Sequence, residues 1–345
     1  MQNETRNGAV YLQTNDASRN EIVAYVRRAD GSLARIGDYE TGGRGTGKPH
    51  LPSQSSVVLS DDGRYLLVVN AGSDEITLFA VGSDGLRLSD RVPSGGATPT
   101  SIAVRGRLVY VLNNASASID GFEIAAGKLE PLAGSKRPLS DDGADGAQIS
   151  FSPDGRTLVV TERGTNSISA YAVDERGYAE GPSTIPSAGQ TPYGFGFTDG
   201  GALIVTEAFG GDHGKAAASS YAIAAPGELK PISGSVGDGR SEVCWAAVTN
   251  DGRFVFVTNF GDCTISSYSI GEDGGIELAE PVAASTRLGK AGIRDEAISS
   301  DGRFLYALDA DAQQVHGWSV GVDGRLAEIG AFEGVPATVA GLAAS

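Results

Sequence analysis

Residues 149–173 read ISFSPDGRTLVVTERGTNSISAYAV. Three runs rich in β-branched and aromatic residues, ISFS, TLVVTE and SISAYAV, are separated by SPDGR and RGTN. Runs of this length, broken by Asp-Gly and Gly-Thr-Asn, are strand and turn signals. A helix would instead repeat its apolar residues every 3.6 positions. The stretch therefore predicts three consecutive antiparallel strands, A, B and C.

The pattern recurs. VVLSDDGRYLLVVNAGSDEITLFAV (57–81), AAVTNDGRFVFVTNFGDCTISSYSI (246–270) and EAISSDGRFLYALDADAQQVHGWSV (296–320) repeat it closely. Residues 102–124 and 196–223 carry weaker copies. A second turn, such as SDGLRL or EDGGIEL, leads into a fourth strand, D. Four strands at a period of roughly 43–52 residues suit propeller blades better than helical repeats. The N-terminus supplies a seventh set without strand A: GAVYLQTND as B, EIVAYVRRADG as C and SLARIGDY as D. The C-terminal PATVAGLAA is the missing inner strand. The expected fold is all-β: one domain over 1–345, a seven-bladed β-propeller with four antiparallel strands per blade. Its ring is closed by N- and C-terminal strands in one blade, which removes two exposed sheet edges.

Composition agrees with a turn-rich β protein: 49 glycines, 40% hydrophobic residues and one methionine in 345 residues. A net charge of −16 argues against nucleic acid, which needs a basic face. No apolar run reaches membrane-spanning length, and MQNETRNGAVYL has no signal-peptide core, so a cytoplasmic address is expected. Two cysteines, Cys244 and Cys263, exclude a disulfide scaffold and a thiolate metal cluster. Nucleophile-elbow, phosphate-loop and dinucleotide motifs are absent, and three histidines make a His-rich metal site improbable.

The SPDGRTLVV, NDGRFVFVTN and ERGTNSI units resemble the lactonase family of seven-bladed propellers, which includes bacterial 6-phosphogluconolactonases and fungal carboxymuconate lactonizing enzymes. The resemblance covers essentially the whole chain. ERG is similar to the family's Asn-Arg-Gly turn, with Arg163 on the arginine and Glu162 replacing the asparagine. GIRD (292–295) is similar to the Gly-Pro-Arg-His signature, with Arg294 on the arginine and Asp295 where histidine is expected. The corresponding positions of the fourth blade are Ala147 and Gln148.

Alignment of the copies on their turn glycines sets Asn15, Asn70, Asn113, Glu162, Glu207, Asn259 and Asp309 in one column at the end of strand B. Asparagine and aspartate close such turns through backbone hydrogen bonds. Glutamate does this poorly, so Glu162 and Glu207 are candidate general bases or members of structural salt bridges. Cations fall in the loops of the same mouth: Lys48, His50, Lys136, Arg137, Arg163, Arg240, Arg287 and Arg294. They suit an anionic small-molecule substrate, although acids share those loops. Gln148, Tyr193 and Trp245 begin inner strands and are further candidates, the two aromatics as a channel floor, whereas His316 lies deeper in its blade and reads as structural.

The expected chemistry is lactone hydrolysis by a monomer. Glu162 or Glu207 is its general base; Arg163, Arg294 and Gln148 hold the substrate anion or the oxyanion; and His50, Tyr193 and Trp245 complete the binding surface. No cofactor is required. The alternatives are a Ca²⁺ site on the ring of amides and acids, a muconate-lactonizing type of isomerase or cyclase, and a non-catalytic binding or scaffold propeller.

Overall fold

The Asp-Gly segments form the tight A–B hairpins that the repeat requires. In the second blade Ser60 N–H donates to the Tyr65 carbonyl at 2.9 Å, and Asp62 accepts from Ser60 Oγ and the Arg64 amide. Gly63 occupies the left-handed region at φ 66°, where a Cβ is disfavoured. The same arrangement recurs at Ser152–Gly155, Thr249–Gly252 and Ser299–Gly302.

The computed structural model describes residues 8–49 and 51–345. Seven sheets are arranged as the blades of one propeller. Numbered from the N-terminus, their inner strands (A) are Ala340–Ala344, Val57–Leu59, Pro99–Arg105, Gly146–Phe151, Pro192–Phe197, Val243–Val248 and Ile293–Ile298. Strands B are Gly8–Gln13, Tyr65–Asn70, Leu108–Asn113, Thr157–Glu162, Leu203–Glu207, Phe254–Asn259 and Phe304–Asp309. Strands C and D follow outward, and all neighbours within a blade are antiparallel. In blade 3 the outermost position is split between Lys128–Pro131 and Arg137–Pro138, which both pair with Ser118–Ala125.

Strand B reads as a continuous apolar run because both of its faces are buried. Leu158 and Val160 enter the cluster shared with blade 3, while Val159 between them enters the one shared with blade 5. Seven such clusters fill the seven blade interfaces. The ring closes as the sequence predicts: Val10, Tyr11 and Leu12 pair with Ala344, Ala343 and Leu342. Arg27 locks the closure, donating to the Ser345 carbonyl at 2.9 Å and to Asp301 of blade 7 at 3.0 Å.

Inner strands 3 to 7 each start with a bulge. In blade 5 Tyr193 and Gly194 oppose Thr206 alone; in blade 6 Cys244 and Trp245 oppose Thr258; in blade 7 Arg294 and Asp295 oppose Leu308. The residue before each of these strands, namely Thr98, Asp145, Thr191, Glu242 and Gly292, has positive φ. A bulge re-aims the side chains it carries. Its unpaired carbonyls are met by threonines of strand B: Thr161 donates to the Tyr193 carbonyl, and Thr206 to those of Gly194 (3.0 Å) and Cys244 (2.7 Å).

Candidate functional site

The column at the end of strand B is a set of clasps rather than a catalytic ring. Asn70, Asn113, Glu162, Glu207, Asn259 and Asp309 are all 0% exposed. Most of them reach the crossover that enters their blade. Asn70 accepts from Thr41, Asn113 donates to the Ser94 carbonyl, and Asp309 accepts from Thr286 and Arg287. Glu162 accepts from the Ser140 amide at 3.1 Å, from Ser140 Oγ and from Thr165 Oγ1. Glu207 accepts from the Gly189 amide at 2.7 Å and from Ser219 Oγ at 2.6 Å, and also from Ser187 and Ser235. The assignment of these two glutamates as general bases is therefore corrected: their oxygens are consumed inside the blade walls. Asn15 leaves the column altogether. Strand B of blade 1 ends at Gln13, and Asn15 lies in the following turn, bonded to Thr46 and the Lys48 carbonyl.

Gln148 is corrected in the same way. Its amide chelates the backbone of Phe195, accepting from N–H at 2.6 Å and donating to the carbonyl at 3.1 Å. Gln54 does the same to Ala246 across the axis, and Trp245 Nε1 donates to the Ser53 carbonyl at 3.0 Å. Inner strands thus expose backbone edges to the channel, and these side chains satisfy them, plugging it midway. His50 lies outside the described residues. Most of the other loop cations are tied down: Lys136 to the Gly95 carbonyl, Arg240 near Asp262, and Arg287 to Asp309.

Two arginines converge above the plug. Arg163 lies in the blade 4 B–C turn with its side chain 12% exposed; it pairs with Asp145 at 2.6 Å and lies 5.0 Å from the Tyr193 ring centroid. Arg294 is carried by the blade 7 bulge, 5.3 Å from the Phe260 ring centroid and 4.0 Å from Asp311. Its Nε and Nη1 are buried with no hydrogen-bond partner among the described residues. Tyr193 and Trp245 pack edge to face at 5.7 Å beneath them, in a cluster with Cys244 and Phe260. Burial pushes the Cys244 thiol well up, and Glu242 adds to this, while both arginines pull the other way. The thiol is therefore a packing group, not a nucleophile.

Glu242, the residue before the inner strand of blade 6, is the acid that joins the two arginines most strongly in the electrostatics of Cys244. It holds a left-handed backbone at φ 57°, and its carboxyl is half-buried. Burial raises its pKa above the ordinary glutamate value against the pull of Arg294 and His213. Glu242 sits immediately before strand A, two residues ahead of the bulge, rather than at the end of strand B.

Below the plug an axial cavity of about 350 Å³ runs towards the A–B turns, with Asp295 and Glu296 among its lining. A larger one of about 490 Å³ lies among the A–B turns of blades 4 to 6, away from both arginines. No group of three or more His, Cys, Asp or Glu among the described residues is arranged to hold a metal ion.

Residues 6–138, 137–208 and 206–297 match the family described as Lactonase, 7-bladed beta-propeller. The chain belongs to this family. A crystal structure of a Lactobacillus plantarum protein superposes with a TM-score of 0.78 at 18% identity, covering 98% of this chain and 99% of that one. The periplasmic gluconolactonase of Pseudomonas aeruginosa gives 0.71 at 19% identity, covering 97% and 99%. Among curated sequences, an uncharacterized protein of Lactococcus lactis subsp. cremoris is 30% identical over 190 residues, which is 51% of this chain and 54% of that protein. The chain spans about half the length of the curated relatives it matches.

Proposed function

We propose that this lactonase-family propeller is a hydrolase that opens a small anionic lactone at the mouth formed by Arg163, Glu242 and Arg294. One observation carries the reading: a guanidinium buried beside the channel axis with two N–H groups unpartnered among the described residues. Burying such donors without an acceptor is costly, so the recess is shaped for an anion. Arg294 takes the substrate carboxylate or phosphate, and its charge-assisted hydrogen bonds fix orientation. Tyr193 and Phe260 supply the apolar floor for the ring.

Glu242 is the general base. A carboxyl whose pKa is raised by burial accepts a proton better than an ordinary glutamate does. Water attacks the lactone carbonyl as Glu242 takes its proton, and the guanidinium of Arg163 faces the developing oxyanion. The ring C–O bond then breaks, and the proton passes from Glu242 to the departing alkoxide. Lactone plus water yields one hydroxy acid.

The test is a panel of acidic and neutral lactones with wild type, Glu242→Gln and Arg294→Met. Hydrolysis selective for acidic members is expected. Glu242→Gln lowers kcat about 10²–10⁴-fold, and Arg294→Met raises KM for acidic lactones about 10–100-fold. Hydrolysis that both variants leave unchanged overturns the assignment. A cyclase or isomerase would use the same carboxyl but add no solvent oxygen to product, which labelled water distinguishes.

A further inference from the structure

The axial cavity below the plug holds a feature that lactone hydrolysis at the mouth does not use. Glu296 is 4% exposed, and both of its carboxylate oxygens are without a hydrogen-bond partner among the described residues. Asp295 precedes it in the chain, is 3% exposed, and commits Oδ2 to the Gly341 amide at 2.8 Å. Both line the cavity of about 350 Å³ together with Gln54 and Ser55. The remaining wall comes from inner strands of blades 1, 2, 6 and 7. An inner strand pairs on one side only, so its other edge presents backbone carbonyls to the axis. Two acids, hydroxyl and amide oxygens, carbonyl edges and room for several waters make a set of hard oxygen donors.

A buried carboxylate with neither donor nor cation is among the most costly arrangements a protein can hold. Two outcomes relieve it: a retained proton or a bound positive charge. Proximity of the second acid raises the cost of ionisation and, equally, the gain from a shared cation.

We infer that the axial cavity is a binding site for one hard metal cation of the Ca²⁺ class, held by Glu296 and Asp295 and completed by channel oxygens and water. Its test is binding rather than turnover, so the site stands whether or not the mouth hydrolyses lactones. Its contribution is to the ring. The cation draws blade 7 towards the inner strands of blades 1, 2 and 6, where the closure by both chain termini is made. Binding expels any proton held by the two acids.

The test is titration of chelator-treated full-length protein with Ca²⁺ and, in parallel, with Tb³⁺ read by emission sensitised from Trp245. Saturable binding near one equivalent is expected, with Ca²⁺ displacing Tb³⁺. A hundredfold excess over Kd should raise Tm by about 3–4 °C. Glu296→Gln should weaken binding at least tenfold and abolish the Tm shift, while Glu242→Gln retains both. Infrared difference spectra provide a readout that survives a poorly folding variant: wild type should lose a protonated-carboxyl C=O band and gain carboxylate bands on Ca²⁺ addition. Absence of binding to wild type, binding unchanged in Glu296→Gln, or an unaltered carboxyl band overturns the site and leaves Glu296 as a neutral buried acid.

Discussion

Substitution of Glu207 separates the clasp from a catalytic base. Its two oxygens meet four donors: Gly189 N–H, Ser187 Oγ, Ser219 Oγ and Ser235 Oγ. Glutamine fits the same volume. Its carbonyl oxygen can keep the three bonds made by Oε1, and Ser235 can rotate to accept from the new amide. What is lost is charge assistance, so Glu207→Gln should cost about 2 kcal/mol. Leucine removes the acceptors and strands the Gly189 amide, which has no rotational escape, so Glu207→Leu should cost about 4–5 kcal/mol. For 345 residues the unfolding entropy is about 0.7 kcal/mol/K, which sets the expected losses in Tm at about 3 °C and about 6 °C. The assay is urea and thermal unfolding of both variants beside turnover of whichever lactone the panel identifies. Glutamine should leave kcat within about twofold, whereas removal of a general base costs about 10²–10⁴-fold. A Glu207→Gln protein as stable as wild type and catalytically dead would refute the clasp.

Three further outcomes follow from the same geometry. Thr206→Val keeps shape but leaves the Gly194 and Cys244 carbonyls without the hydroxyl that serves both; a loss of about 2–3 kcal/mol is expected in chemical unfolding, together with a raised KM because the bulge carrying Tyr193 loosens. Arg287→Met leaves Asp309 buried with Thr286 Oγ1 and the Ala312 amide but no cation, costing about 2–3 kcal/mol near pH 7. Although burial pushes the Asp309 carboxyl up, Arg287 and Thr286 hold it below the ordinary value. The stability it contributes is therefore present above the unfolded carboxylate range and lost as pH falls through the folded pKa, and the variant should show a shallower acid limb. Asp295 has the opposite sign: burial pushes it up to about 7 against the Gly341 amide and Arg294. The folded state keeps a proton that the unfolded chain releases near pH ~3.9, so stability falls as pH rises from about 4 to 7. Asp295→Asn retains an acceptor for Gly341; in chelator it should gain about 2–4 kcal/mol at about pH 8 and nothing at about pH 4, as read by urea unfolding at both.

Blade number and strand order were legible because their determinants are local. A hairpin such as Ser152–Gly155 is specified within a few residues by a hydroxyl, an aspartate and a glycine at fixed offsets. Ring closure was legible for a related reason: a blade lacking strand A leaves only the other chain end to supply it. The role of Glu162 was not legible, because its partner Ser140 lies 22 residues upstream across a crossover, and Glu207 draws on Ser235, 28 residues downstream. Residue type and column position could mark these acids as exceptional but could not tell a buried acceptor from an exposed base.

The role proposed for Glu242 was not legible, for a geometric reason. Period-two alternation assigns each strand residue to one blade face or the other, and under that rule Cys244 belongs to a blade interface. The bulge breaks the rule by setting two residues against one, and the left-handed residue before it turns the strand start towards the axis. The same irregularity occurs in blades 3 and 4, where it carries Thr100 and Ala147. Backbone shape is thus shared, and chemical asymmetry comes from which side chains the later blades place on it: Tyr193, Cys244 with Trp245, and Arg294 with Asp295. The proposed one-sided site therefore rests on which residues are placed at a bulge that five of the seven blades repeat. The strand B threonines that bond to those bulges, Thr161 and Thr206, hold its shape while the residues it carries change.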